Sequence, residues 1–371
     1  MSALPTSPRI GVTADVLRSA SQGTLDSFVE RVEQRVQRYL TLRTDNEEQA
    51  DHLRHVADRT RWMYYSEMAR INPGVSVRVS EHEDGLIRAC TYSHDMGKWI
   101  PREELQALLP TDAFNRDRVF AELRFTANQA GLFTLAVRKR LDLPQDGYTP
   151  EYDSAHHLVS AFMLVTDDSL GFHTLEADDQ ARLVNMIVGH QFGSYFKESL
   201  LALSLRGRSE VTTGMLVDVS RPDRMEGDLL AYCFHDADIS DMLFIGSLER
   251  RPNREDIFHT GGLVKILMIN LTNRIHDVPS APADLAGCIR SCQGTVASAC
   301  KEFMTPTAVE HGYPWRREAR RFLTMLQEKN AYERMNSALL DRNRAPLDRL
   351  TSVRSLTRLH AREFLNRPDE E

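Results

Sequence analysis

Histidine and aspartate are the residues in this chain whose types and spacing could do chemistry. There are 13 histidines, and several fall beside carboxylates on stretches with helical periodicity. These are His52 and His55, the adjacent pair His94 and Asp95 followed by Gly97 and Lys98, His156 and His157, His190, and the run His235-Asp236-Ala237-Asp238. An imidazole nitrogen and a carboxylate oxygen within one turn of backbone can approach the same cation, a ligand pairing that transition metals accept. A His-Asp pair alone says little, because it recurs as His235-Asp236 and His276-Asp277 and also suits an exposed helix cap. The first pair differs in its surroundings. An apolar helix with Leu86, Ile87, Ala89, Cys90 and Tyr92 leads into it, and a glycine and a lysine follow.

The elements that must position these residues read as helices almost throughout, since apolar residues recur at spacings of three and four and strand-like alternation is nearly absent. Phe28, Val32, Val36 and Leu40 form one stripe, with Ser27 and Glu30 placed as a capping box. A second helix is expected over 47–69, closed by Asn72-Pro73-Gly74, and a third over 86–97. Thr149-Pro150-Glu151 should open the helix that carries His156 and His157, and a helix over 176–189 should leave His190 just past its end. A helix over 228–243 should bear His235, Asp236 and Asp238. Residues 204–223 read as an irregular excursion, a loop long enough to serve as a lid. Beyond Gly261 the chain returns to helices, with a break at 277–282 and a last amphipathic region from Arg316 onward. The expected fold class is all-α: an N-terminal helical segment over 1–44, a core over 45–245 with an insertion near 204–223, and a C-terminal helical extension over 246–371.

Composition narrows the function classes. With 42% hydrophobic and 27% charged residues, 15 Pro and 19 Gly in 371 residues, the chain can bury a sizeable core, and neither disorder nor a collagen-like structure fits. The apolar run over 263–271 is interrupted by Lys265 and Asn270, far short of the roughly 18 apolar residues of a membrane span. No signal peptide is visible at the N-terminus, so the chain reads as cytoplasmic. Five cysteines are too few and too irregularly placed for a disulfide framework, and Cys288 and Cys292 suit a helical core better than a metal. A net charge of −7 gives no reason to expect general nucleic-acid affinity, although residues 314–371 hold 13 Lys/Arg against 9 Asp/Glu. The composition is compatible with an oligomer.

The segment Ala89-Cys90-Thr91-Tyr92-Ser93-His94-Asp95-Met96-Gly97-Lys98 resembles the central motif of the HD-domain superfamily of metal-dependent phosphohydrolases. The resemblance implies an earlier histidine ligand, matched by His52 in His52-Leu53-Arg54-His55-Val56-Ala57, with His55 as the alternative. It implies a late aspartate, matched by Asp238 with Asp236 as the alternative. Members that hold two metals add two histidines between them, matched by His156, with His157 as the alternative, and by His190. On this pattern Asp95 bridges two cations, His52, His94 and Asp238 complete one site, and His156 and His190 complete the other. So much imidazole favours manganese, iron, cobalt, nickel or zinc over magnesium. The matching segments cover roughly residues 45–245.

The resemblance implies a hydrolase acting on a phosphomonoester or phosphodiester, such as a nucleotide or another small phosphorylated molecule. Two cations about 3.5–4 Å apart would activate a water and neutralise the leaving group, with Asp95 central. Lys98 would aim a point charge at the phosphate, and Lys197, Arg206 and Arg208 could line the entrance for an anionic substrate. The segment His190-Gln191-Phe192-Gly193-Ser194-Tyr195 departs from the branch that cleaves cyclic dinucleotides, since Gln191 replaces its paired histidine and no Tyr-Pro follows. The same ligand order occurs in a mixed-valent di-iron oxygenase branch, which is the enzymatic alternative. The non-enzymatic alternative is a regulatory module with an eroded site. A candidate at every ligand position speaks against erosion.

Overall fold

The computed structural model describes residues 14–43, 45–110, 113–123, 125–141, 155–190, 228–252, 256–278 and 281–367. Among them the fold is all-α, with a single pair of short strands. Helices α1 (Ala14–Thr41) and α2 (Asn46–Ile71) precede α3 (Glu81–Ser93) and the single turn α4 (Met96–Trp99). Helices α5 (Arg102–Leu108), α6 (Ala113–Glu122) and α7 (Ala127–Leu141) lead to α8 (His156–Thr166), α9 (Ala177–Gly189) and α10 (Leu229–Asp241). An antiparallel hairpin of β1 (Gly246–Glu249) and β2 (Ile257–Thr260) pairs Gly246 with Thr260. Then come α11 (Gly262–Ile275), α12 (Leu285–Ala299), α13 (Pro306–Met325), α14 (Lys329–Leu340) and α15 (Pro346–Leu365).

Helix α2 lies between α3 and α10, α1 covers α3, and α8, α9 and α10 pack in succession. Phe28, Val32 and Val36 of the predicted stripe are fully buried and hold α1 down. Ser27 does not cap this helix. It lies inside α1, and its hydroxyl donates to the Gly23 carbonyl instead of facing solvent at an end. The capping box belongs to α3, where the Ser80 hydroxyl accepts from Glu83 N and the Glu83 carboxylate accepts from Ser80 N. Helix α10 begins on Asp228, whose carboxylate accepts from Leu230 N.

The hairpin is a second departure from the expected pattern. Four-residue strands leave too little sequence for alternation to register. Cys288 and Cys292 are buried on α12, as expected of small core residues. No described helix is long and apolar enough to cross a membrane. The Thr149-Pro150-Glu151 helix start and the excursion over 204–223 lie outside the described residues.

Candidate metal centre

Asp95 sits at the corner between α3 and α4, with no exposure at all. Its position is a helix N-cap, yet its side chain makes no capping bond. The carboxylate turns inward instead. Oδ2 lies 3.7 Å from His52 Nε2 and 3.7 Å from His94 Nε2. Oδ1 lies 3.1 Å from His156 Nε2 and 3.7 Å from His190 Nε2. Asp238 on α10 closes the first set, with Oδ1 3.3 Å from His52 Nε2 and 3.7 Å from His94 Nε2. His156 and His190 close the second, their Nε2 atoms 3.0 Å apart. Five elements thus bring six side chains to one buried point.

The imidazoles are presented for coordination. Nδ1 of His94 donates to the Thr91 carbonyl at 2.8 Å and Nδ1 of His190 to the Ile187 carbonyl at 2.6 Å, each one turn back on its own helix. Nδ1 of His52 donates to Asp241 Oδ2 at 2.8 Å. For His94 and His190 the carbonyl at Nδ1 can only accept, which selects the tautomer that leaves the Nε2 lone pair facing Asp95. His94 Nε2 is buried and has no hydrogen-bond partner among the described residues. A buried acceptor left this way is costly unless something binds it. Ligand atoms of His52, His94 and Asp238 lie within 4.8 Å of one another, as do those of His94, Asp95 and His190, so the described residues could hold a metal ion.

Electrostatics agree with that geometry. Burial pushes the Asp95 carboxyl up, but the Lys98 ammonium and His94 hold it well below the usual carboxylate range. Asp238 is likewise depressed: burial raises it, and the hydrogen bond to His52 together with the neighbouring histidines outweighs that. Burial drops His94 to about 3 and also lowers His156 and His157, so these rings are neutral donors at neutral pH. His52 moves the other way: burial and Lys265 lower it, but Asp238 and Asp241 raise it further.

Gly97 explains how α4 reaches α8. A Cβ there would lie 2.4 Å from the His156 carbonyl oxygen and 3.0 Å from Ser160 N and Oγ, and Gly97 N donates to Ser160 Oγ at 2.8 Å. Only glycine permits that approach, which sets His156 against Asp95. Lys98, three residues beyond Asp95, puts Nζ 2.8 Å from Asp95 Oδ1. In this arrangement it pairs with the Asp95 carboxylate.

The alternatives separate by position. His55 lies behind the centre, 3.6 Å from Asp241 Oδ1 and edge-on to Phe244. His157 packs against the rings of His156 and His190. Asp236 faces away and accepts from Met304 N, Thr305 N and Thr305 Oγ1. Lys197, Arg206 and Arg208 lie outside the described residues.

Two residues absent from the sequence expectations join the site. Asp241 orients His52 and is itself paired with Arg59 at 3.2 Å. Its spacing of three from Asp238 places it on the same helix face, which is the signal the sequence carries for it. Lys265, which interrupts an apolar run, bonds Gln49 one turn before His52. No protein-family model matches the chain, and no curated protein or solved structure matches it.

Proposed function

We propose that this chain is an HD-type, metal-dependent phosphohydrolase, acting on a phosphomonoester or phosphodiester of a nucleotide or other small molecule. The observation that carries the reading is the split of the Asp95 carboxylate, one oxygen facing His52 and His94 and the other facing His156 and His190. A carboxylate so placed suits a bridge between two cations. His52, His94 and Asp238 would hold one ion and His156 and His190 the other, and the imidazole-rich set suits manganese, iron, cobalt, nickel or zinc. When bound, divalent ions supply Lewis acidity toward a phosphate oxygen and acidify a water.

The chain's own residues do the rest. The backbone and carboxylate partners at Nδ1 keep three rings in fixed orientation, so binding a cation needs little reorganisation. The buried wall made by α2, α3, α8, α9 and α10 limits water access on that side. Lys98, 24% exposed at its side chain, can exchange its contact with Asp95 for an anionic ligand at the centre.

The test is elemental analysis of the purified protein combined with phosphate release from a panel of nucleotides and phosphoesters. One to two transition-metal ions per chain are expected, with at least one lost in His94→Ala or Asp95→Ala. Manganese or cobalt should support turnover without dioxygen. Full metal occupancy in the His94→Ala/Asp95→Ala double variant would refute the site. Dioxygen consumption with a hydroxylated substrate and no phosphate released would replace the hydrolase by the di-iron oxygenase on the same ligands.

A further inference from the structure

Lys265 is a half-buried cation for which metal binding has no use. It lies in the first turns of α11, and the start of that helix is pressed against the metal centre: a Cβ on Gly262 would lie 2.5 Å from Asp241 O and 2.6 Å from Asp241 Oδ2. Lys265 follows three positions later, on the same face of α11. Its Nζ donates to Gln49 Oε1 at 3.4 Å, and Gln49 stands one turn before His52 on α2. Among the described residues no carboxylate lies within ion-pair distance of this ammonium. Burial lowers its pKa, the Lys98 charge lowers it further, and Asp95, Asp241 and Asp238 oppose them, so both lysines share the field of the centre.

An ammonium withdrawn from water without an anionic partner is costly, and the cost is recovered when an anion arrives. The acidic groups around it are otherwise engaged. Asp241 is paired with Arg59 and His52, and Asp95 and Asp238 are the candidate ligands. Resting on the phosphohydrolase reading, we propose that Lys265 and Lys98 form a two-lysine clamp for the substrate phosphate, and that the substrate is a phosphomonoester. Among the described residues two lysines balance the two acidic ligands, so each divalent ion that enters adds charge that no described side chain at the centre offsets. A dianionic monoester offsets more of it than a monoanionic diester does.

The test uses the full chain loaded with manganese and titrated with inorganic phosphate by calorimetry, with metal content measured in parallel. Lys265→Gln keeps a polar partner for Gln49 and removes the charge; Lys265→Arg keeps the charge. The expected result is phosphate binding weakened about tenfold or more in Lys265→Gln, the size of one charge-assisted hydrogen bond, with unchanged manganese and near-normal binding in Lys265→Arg. Turnover of p-nitrophenyl phosphate should fall more than that of bis(p-nitrophenyl) phosphate; an equal fall overturns the monoester assignment. Unchanged phosphate affinity with manganese intact, or affinity lost only in step with manganese, overturns the clamp and leaves the phosphohydrolase reading in place. Wild-type protein that binds manganese but no phosphate overturns both. Phosphate binding that depends on Lys265, in a protein that hydrolyses no ester, supports the clamp and removes the hydrolase.

Discussion

Nδ1 is where the protein controls His52, His94 and His190, and the partner it chooses differs. His94 and His190 are held by carbonyls of their own helices, which no side-chain substitution removes. His52 depends on Asp241, a carboxylate that another residue could replace. Asp241→Asn should therefore weaken metal binding by about 10–100-fold while leaving helix content unchanged, measured by competition titration with a chromogenic chelator. Wild-type affinity in this variant would mean that His52 needs no orienting carboxylate. The same histidine sets the pH response. Its pKa is raised above the ordinary 6.5, so its proton competes with the cation from above that value, and affinity must fall as pH is lowered through it. His94, lowered by burial to about 3, adds no such competition near neutrality. A manganese affinity that stays flat down to about pH 5.5 would contradict this assignment of the titrating ring.

Between elements, α4 approaches α8 closely at the site, and the approach runs through Gly97. Gly97→Ala places a methyl 2.4 Å from a backbone oxygen, which cannot yield as a flexible side chain would. The expected cost is about 1–3 kcal/mol of stability from overpacking, with His156 displaced from Asp95. Because His52, His94 and Asp238 stand on α2, the end of α3 and α10, metal content should drop toward one ion per chain. Two ions at normal stability would show that the gap between α4 and α8 is not critical. The sequence made this glycine visible beside His94 and Asp95, but not its reason, since the carbonyl it faces lies 59 residues away (97 to 156). The helices over 47–69, 176–189 and 228–243 were legible because their apolar periodicity and end signals are local. Ser27 misled because a serine three residues before a glutamate is as compatible with a helix interior as with a helix start. Lys265 read only as an interruption of an apolar run, because its neighbour Gln49 belongs to a distant helix.

Across the whole molecule, α10 has two working faces. Asp238 turns to His52 and His94 of the candidate metal centre, while Asp236, two positions earlier and so roughly opposite on a helix, turns toward the start of α13. There it accepts from Met304 N, Thr305 N and Thr305 Oγ1, and the buried Glu67 of α2 accepts from Thr307 N beside it. Burial pushes the Asp236 carboxyl up to about 7 despite these donors. The C-terminal helices are thus fastened to the backs of α10 and α2, two of the helices that carry candidate ligands. Asp236→Ala leaves buried donors without an acceptor, a loss of about 2–4 kcal/mol spread over one cooperative transition. Manganese should still bind and still raise the midpoint, by an amount corresponding to about 2.7 kcal/mol at a hundredfold excess over Kd, because the ligand set is untouched. Thermal unfolding of wild type and variant, each with and without manganese, separates the two roles of this helix. A variant with normal stability and no response to manganese would transfer the ligand role from Asp238 to Asp236. A destabilised variant that keeps its response supports Asp238 at the metal and Asp236 at the joint.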